Sequence, residues 1–272
     1  MKMKRFPFRI GTTSYIIPED IVPNVVFLAD LVDDIELVLF EVDDGPNNLP
    51  DKKAIAELVK IALQHRLSYT VHLPLDLRLT GENNEQHISL IKANKVIDCT
   101  RELHPHAYIL HLDGRDILHQ KDPVALAQWK RQALLALQQV SQWVPDSRLL
   151  AVENLEHYPA GLWDEVIKQA SVSRCVDIGH LWVDGLDPIV FLEDRIQETS
   201  VIHIHGIAER DHQSLANTPA EELERVIEFI VAANYRGVMT MEIFNENDFF
   251  SSMEVIKKVW KKINLEDRWD NS

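Results

Sequence analysis

The chain has 272 residues, 46% hydrophobic and 26% charged, an ordinary globular balance that excludes disorder, collagen-like repeats and a small disulfide scaffold. Its 28 Lys and Arg against 43 Asp and Glu leave a formal charge of -15. That charge is poorly matched to a nucleic-acid backbone, which is bound through clustered cations.

A β-type run at 8–15 comes first, then a helical stretch at 18–32 in which Pro23 falls near the first turn or breaks the helix. The run 35–42 leads to a helix at 51–66, with Ile55, Leu58, Val59, Ala62 and Leu63 at helical spacing. Next come 67–73 with helix 84–103, 107–113 with 122–144, and 148–155 with 160–170. The last pairs are 173–180 with 186–197, 200–207 with 219–234, and 237–244 with 250–262, followed by a polar tail at 263–272. The β-type runs are rich in Val, Ile, Leu and aromatics and are bounded by Pro, Gly, Asp or Asn, as strands are. Eight βα units in succession predict an α/β fold, a (β/α)8 TIM barrel formed by a single domain over 1–272. An open doubly wound sheet is the competitor, and it loses ground because no extra domain or glycine-rich first turn accompanies the eight units.

No apolar run approaches the ~20 residues of a membrane helix, and no apolar signal region follows the basic start MKMKRFPFRI. Cys99 and Cys175 give no disulfide framework. The expectation is a cytoplasmic protein with a small-molecule substrate and neither membrane nor nucleic acid as partner. No GxGxxG, GxxxxGKS/T or GxSxG pattern occurs, which withdraws support from dinucleotide, P-loop and serine-hydrolase chemistry.

In such a barrel the reactive residues sit at the C-terminal ends of the strands. Those ends carry Glu41, His72, His111, Glu153, Asp177 with His180, His203 with His205, and Glu242, with His212 in the loop after the seventh strand. One such residue at a strand end is usually a satisfied polar group or a helix cap. Seven of eight ends carrying a His or carboxylate on one barrel face make a ligand set for divalent metals. Strand parity agrees: His203 and His205 share a face, as do Thr240 and Glu242. His65, His87, His104, His106, His119 and His157 fall in helices or loops without this pattern. Tyr15 reads as a packed aromatic or part of the pocket floor, and Asp76, Arg78 and Asp113 lie near strand ends within reach of a substrate.

The succession VHLP (71–74), LHLDG (110–114), VENL (152–155), CVDIGH (175–180), HIHG (203–206), RDHQSL (210–215) and MEIF (241–244) resembles the xylose isomerase-like barrels, and among them the endonuclease IV (AP endonuclease family 2) branch. The resemblance implies metal ligands at His72, His111, Glu153, Asp177, His180, His203, His212 and Glu242, with His203 preferred to His205. It implies catalytic roles for Glu153, Glu242 and His180, and two or three divalent ions, zinc or manganese. That branch has Asp-x-His where this chain has Arg210, Asp211 and His212, which displaces the Asp by one. Tyr15, Glu41, His205, Arg210 and Asp211 are then placed toward the substrate.

Isomerases and epimerases of the superfamily need one metal, on Glu153, Asp177, His203 and Glu242, with the two Glu also moving a proton. That leaves His72, His111, His180 and His212 without a task. A hydrolase with two or more metals uses them all, attacking a phosphoester with a metal-bound hydroxide. The stretches GTTSYIIPEDIVPNV (11–25), VDDIELVLFE (32–41) and HGIAERDHQSL (205–215) resemble the cobamide-remodelling phosphodiesterases, which implies the lower-loop phosphoester of a cobamide as substrate. The alternatives are a one-metal sugar (phosphate) isomerase or epimerase and, behind it, a non-catalytic metal-binding barrel.

Overall fold

The structure is a computed structural model describing residues 6–40, 48–74, 76–79, 86–118, 122–208 and 210–270, with side chains up to Ile263. Eight parallel strands close in sequence order into a barrel: β1 (Arg9–Thr13), β2 (Asp34–Val38), β3 (Ser68–His72), β4 (Ala107–Leu110), β5 (Leu150–Glu153), β6 (Ser173–Asp177), β7 (Thr199–Ile204) and β8 (Val238–Met241). Around it run α1 (Ile21–Leu28), α2 (Lys52–His65), α3 (Ile88–Thr100), α4 (Pro123–Ser141), α5 (Asp164–Ala170), α6 (Ile178–Val183), α7 (Pro188–Glu193), α8 (Ala220–Ala232) and α9 (Glu246–Asp270). The expected (β/α)8 barrel is therefore the observed one, and β1 pairs with β8 to close it. Helix α9 carries the chain on through much of the polar tail.

Alternation along each strand divides the side chains between two environments. Ile35, Leu37, Tyr69, Val71, Val152 and Ile202 join the main core with helix residues such as Val25, Leu58, Leu137 and Ile227, all buried. A separate apolar cluster of Ala107, Ile109, Ala151, Cys175 and Val201 comes from the opposite faces of β4 to β7. Asp34, Glu36, Thr70, Asp177, His203 and Thr240 are also fully buried on these strands. Asp34 accepts hydrogen bonds from the Ser68 and Thr70 hydroxyls, and burial raises its carboxyl above the usual range.

Local signals explain the helix boundaries. Asp51, Asp122 and Asp187 cap α2, α4 and α7 through their side chains, and Pro opens α4 and α7. Pro23 lies in the first turn of α1, where no intrahelical N–H is required of it. The next residue, buried Asn24, accepts the N–H groups of Ile16 and Ile17 at 2.9 Å and donates to the Ile17 and Glu19 carbonyls. One side chain thus ties the β1–α1 loop to its helix. Strand six ends at Asp177 instead of running to 180, because the Asp177 side chain accepts the His180 N–H at 2.8 Å and starts α6.

Candidate metal centre

Glu153 and Asp177 are the last residues of β5 and β6, His203 lies next to last in β7, and Glu242 follows β8 directly. Asp177 and His203 are register partners, so they stand at one level of the barrel. These four residues are buried and bring ligand atoms within 4.8 Å of one another. His203 Nδ1 is 3.1 Å from Glu242 Oε2, 3.3 Å from Glu153 Oε1 and 3.9 Å from Asp177 Oδ2. Its Nε2 points the other way, to Glu36 Oε2 at 2.8 Å.

Glu153 also belongs to a second group with His72 and His111. Its Oε2 lies 3.1 Å from His111 Nε2 and 3.5 Å from His72 Nε2, while Oε1 faces His203. One carboxylate therefore spans two groups, one oxygen to each. His72 Nδ1 donates to the Leu73 carbonyl at 2.9 Å and His111 Nδ1 to Asp76 at 3.1 Å. Each bond fixes the tautomer and leaves Nε2 aimed at Glu153. An open cavity of about 210 Å³ adjoins this group, lined by Val38, Phe40 and Leu73 together with His72, His111 and Glu242.

Asp177 belongs as well to a third group with His180, His205 and His212. Asn154 pins it, donating to the Asp177 carbonyl at 3.0 Å and accepting its N–H at 2.9 Å. The Asn154 carbonyl in turn accepts His180 Nδ1–H at 2.9 Å, which leaves His180 Nε2 3.2 Å from Glu156. The His205 ring lies where a Cβ on Gly179 would come within 2.1 Å of its Nε2, so the glycine of the DxxH turn is required by close packing. His212 adopts a left-handed φ of 51°, an uncommon conformation for a residue with a Cβ. Its Nδ1 is 3.2 Å from Asp211 and its Nε2 3.4 Å from Glu242.

The electrostatics match a cation-binding site. Among the described residues, every ion pair made by Glu36, Glu153, Asp177 and Glu242 is to a histidine. Buried Glu36 Oε1, Asp177 Oδ2 and Glu242 Oε2 accept no hydrogen bond. Burial alone would lower the His111 imidazole, but the Glu153 and Asp76 carboxylates outweigh it and carry it to about 10. His212 is likewise carried to about 9 against burial by Glu242. Burial works to raise Glu153, yet His203 and His111 hold it well below the usual carboxylate range. Carboxylates buried together and balanced by imidazoles alone, with rings oriented by hydrogen bonds at one nitrogen, fit a divalent metal.

The structure thus brings together His72, His111, Glu153, Asp177, His180, His203, His212 and Glu242, and adds His205 to them. Glu41 lies outside the described residues. Tyr15 packs its ring edge-on to Phe40, which lines the cavity beside His72 and His111, and its hydroxyl accepts from Asn48 at 3.2 Å. Arg210 is exposed. Asp113 is buried and bound by Arg78 and Arg115. Glu36 and Glu156 were not anticipated. Glu36 could have been found by parity, since Asp34 and Glu36 alternate with the apolar Ile35 and Leu37.

No curated protein matches this sequence. Among solved structures, a D-tagatose 3-epimerase-like protein superposes with a TM-score of 0.73 at 18% identity, over 95% of this chain and 99% of its own. Endonuclease IV from Thermus thermophilus gives 0.67 at 16% identity, over 93% and 99%. The IolI protein, solved with a bound zinc atom, gives 0.66 at 11% identity, over 95% and 97%. At these identities the likeness establishes the fold. The profile of xylose isomerase-like TIM barrels (the AP endonuclease 2 family) matches residues 28–262, and the chain belongs to that family.

Proposed function

We propose that this protein is a divalent-metal-dependent hydrolase of small phosphodiesters, with the lower-loop phosphoester of a cobamide as the candidate substrate. The observation that carries the reading is the sharing of Glu153 and Asp177 among three ligand groups at one barrel mouth. An epimerase centre of Glu153, Asp177, His203 and Glu242 has no use for His72, His111, His180 and His212, each of which reaches this mouth.

Glu153, Asp177, His203 and Glu242 would hold one ion, His72, His111 and Glu153 a second, and His180 and His212 with Asp177 a third. Such ions, zinc or manganese by the imidazole-rich donor set, supply Lewis acidity toward a phosphoryl group and an acidified water. The chain itself does the positioning. Asp76 holds the His111 ring, Asp211 stands against His212, and Asn154 holds Asp177 and His180 together. Val38, Phe40 and Leu73 offer an apolar wall to the part of the substrate beyond the phosphate, and the -15 charge favours a small substrate over a polynucleotide.

A second reading, a one-metal sugar (phosphate) epimerase using Glu153 and Glu242 as acid and base, is supported by the completeness of that quartet and by the epimerases among the structural neighbours. The test is turnover of a cobamide, bis-p-nitrophenyl phosphate and a ketose with its phosphate, with zinc and manganese each supplied. Hydrolysis abolished by a chelator and by His111→Ala is expected. Ketose turnover alone, undiminished in His111→Ala, would overturn the hydrolase in favour of the epimerase, and inactivity toward all would favour a binding barrel.

A further inference from the structure

We infer that Glu36 is a positioning residue for the metal quartet, acting through His203. This rests on the reading above that a metal sits on Glu153, Asp177, His203 and Glu242. Glu36 projects from the middle of β2, across the barrel from β7, and both it and His203 are fully buried. Its Oε2 accepts His203 Nε2–H at 2.8 Å. The opposite ring nitrogen, Nδ1, is the one that faces Glu153, Asp177 and Glu242.

Neutral imidazole carries one proton, and the nitrogen that keeps it is decided by its hydrogen-bond partner. On the Nδ1 side His203 meets three carboxylates, all of which would draw the proton toward the very nitrogen a metal needs. Without Glu36, Nε2 loses its carboxylate acceptor while Nδ1 keeps three, and the proton would settle on Nδ1. Glu36 reverses that preference: it keeps the proton on Nε2, frees the Nδ1 lone pair and fixes the ring plane. Its other oxygen, Oε1, is buried and accepts no hydrogen bond, so the carboxylate is held by His203 alone among the described side chains. A carboxylate kept in the barrel interior at that cost is explained by a partner that becomes a metal ligand.

The experiment is competitive chelator titration of zinc on the full-length protein, comparing wild type, Glu36→Gln, Glu36→Asp, His203→Ala and the double variant Glu36→Gln with His203→Ala. Glu36→Gln is expected to weaken the quartet's zinc by about 10–100-fold, with Glu36→Asp recovering part of the loss. In the His203→Ala background Glu36→Gln should add nothing further, a non-additivity that a merely structural role would not produce. Nitrogen-15 spectra of the histidines should show Nε2–H in zinc-loaded wild type. Wild-type affinity in Glu36→Gln, or a full additional loss in the double variant, would overturn the inference while leaving the metal centre standing. A wild-type protein that takes up no zinc or manganese would overturn the metal centre and this inference with it.

Discussion

His205 Nδ1 accepts the main-chain N–H of His212 at 3.0 Å, so one imidazole anchors the turn that delivers another. The two rings stack with centroids 4.2 Å apart, and His205 Nε2 lies 3.4 Å from Asp177 Oδ1. His205 thereby supports His212. His205→Ala removes the anchor of a left-handed residue, and such conformations persist only while their surroundings hold them. The expected result is loss of the metal bound by His180 and His212 with retention of the quartet's metal, read by metal analysis of the purified variant. Full metal content in His205→Ala would contradict this role.

Asp113 gives a prediction independent of any metal. Burial alone would raise its carboxyl, but hydrogen bonds from Arg115 and Arg78 hold it far below the usual range. A depressed carboxylate contributes stability above its unfolded pKa of roughly 3.9 and loses it as pH falls toward the folded value. Arg115 is largely exposed, so solvent screening reduces the effect. Asp113→Asn should cost about 1–3 kcal/mol at pH 7, and urea unfolding should show the gap to wild type narrowing steadily below about pH 4. A gap independent of pH would show that the ion pairs are not its source.

The charge makes a prediction about partners. Two cations near the mouth, Arg78 and Arg115, are already committed to Asp113, and the whole chain stands at -15. Gel-shift assays at physiological salt should show no appreciable affinity for duplex DNA, and abasic sites should not be nicked. Specific cleavage at ordinary enzyme concentrations would mean that a local groove outweighs the global charge.

The barrel was legible because each strand alternates toward two environments and α2, α4 and α7 open on an aspartate cap, signals that need no tertiary partner. The candidate ligands were legible because a parallel barrel gathers all its strand ends at one mouth. Glu36 was not, because strand two was expected to extend to residue 42, which drew attention to Glu41 at its end. The strand in fact stops at Val38, and the carboxylate that reaches the site stands in its middle. The role of His205 was hidden for another reason. It depends on a main-chain N–H presented by a left-handed turn, and no side-chain pattern announces that. The ion pairs of Asp113 were hidden because its two arginines, at 78 and 115, close on it only in the folded chain.

The number of metals at the mouth tests the central claim most directly. Anomalous diffraction at the zinc and manganese edges, on crystals grown with each ion, should show at least two ions. Glu153 should stand between two of them, and His72 and His111 should be engaged, with ligand distances of ~2.0–2.2 Å for zinc. A fully loaded protein with one ion on Glu153, Asp177, His203 and Glu242, and with His72 and His111 unbound, would contradict the hydrolase and leave an epimerase centre in its place.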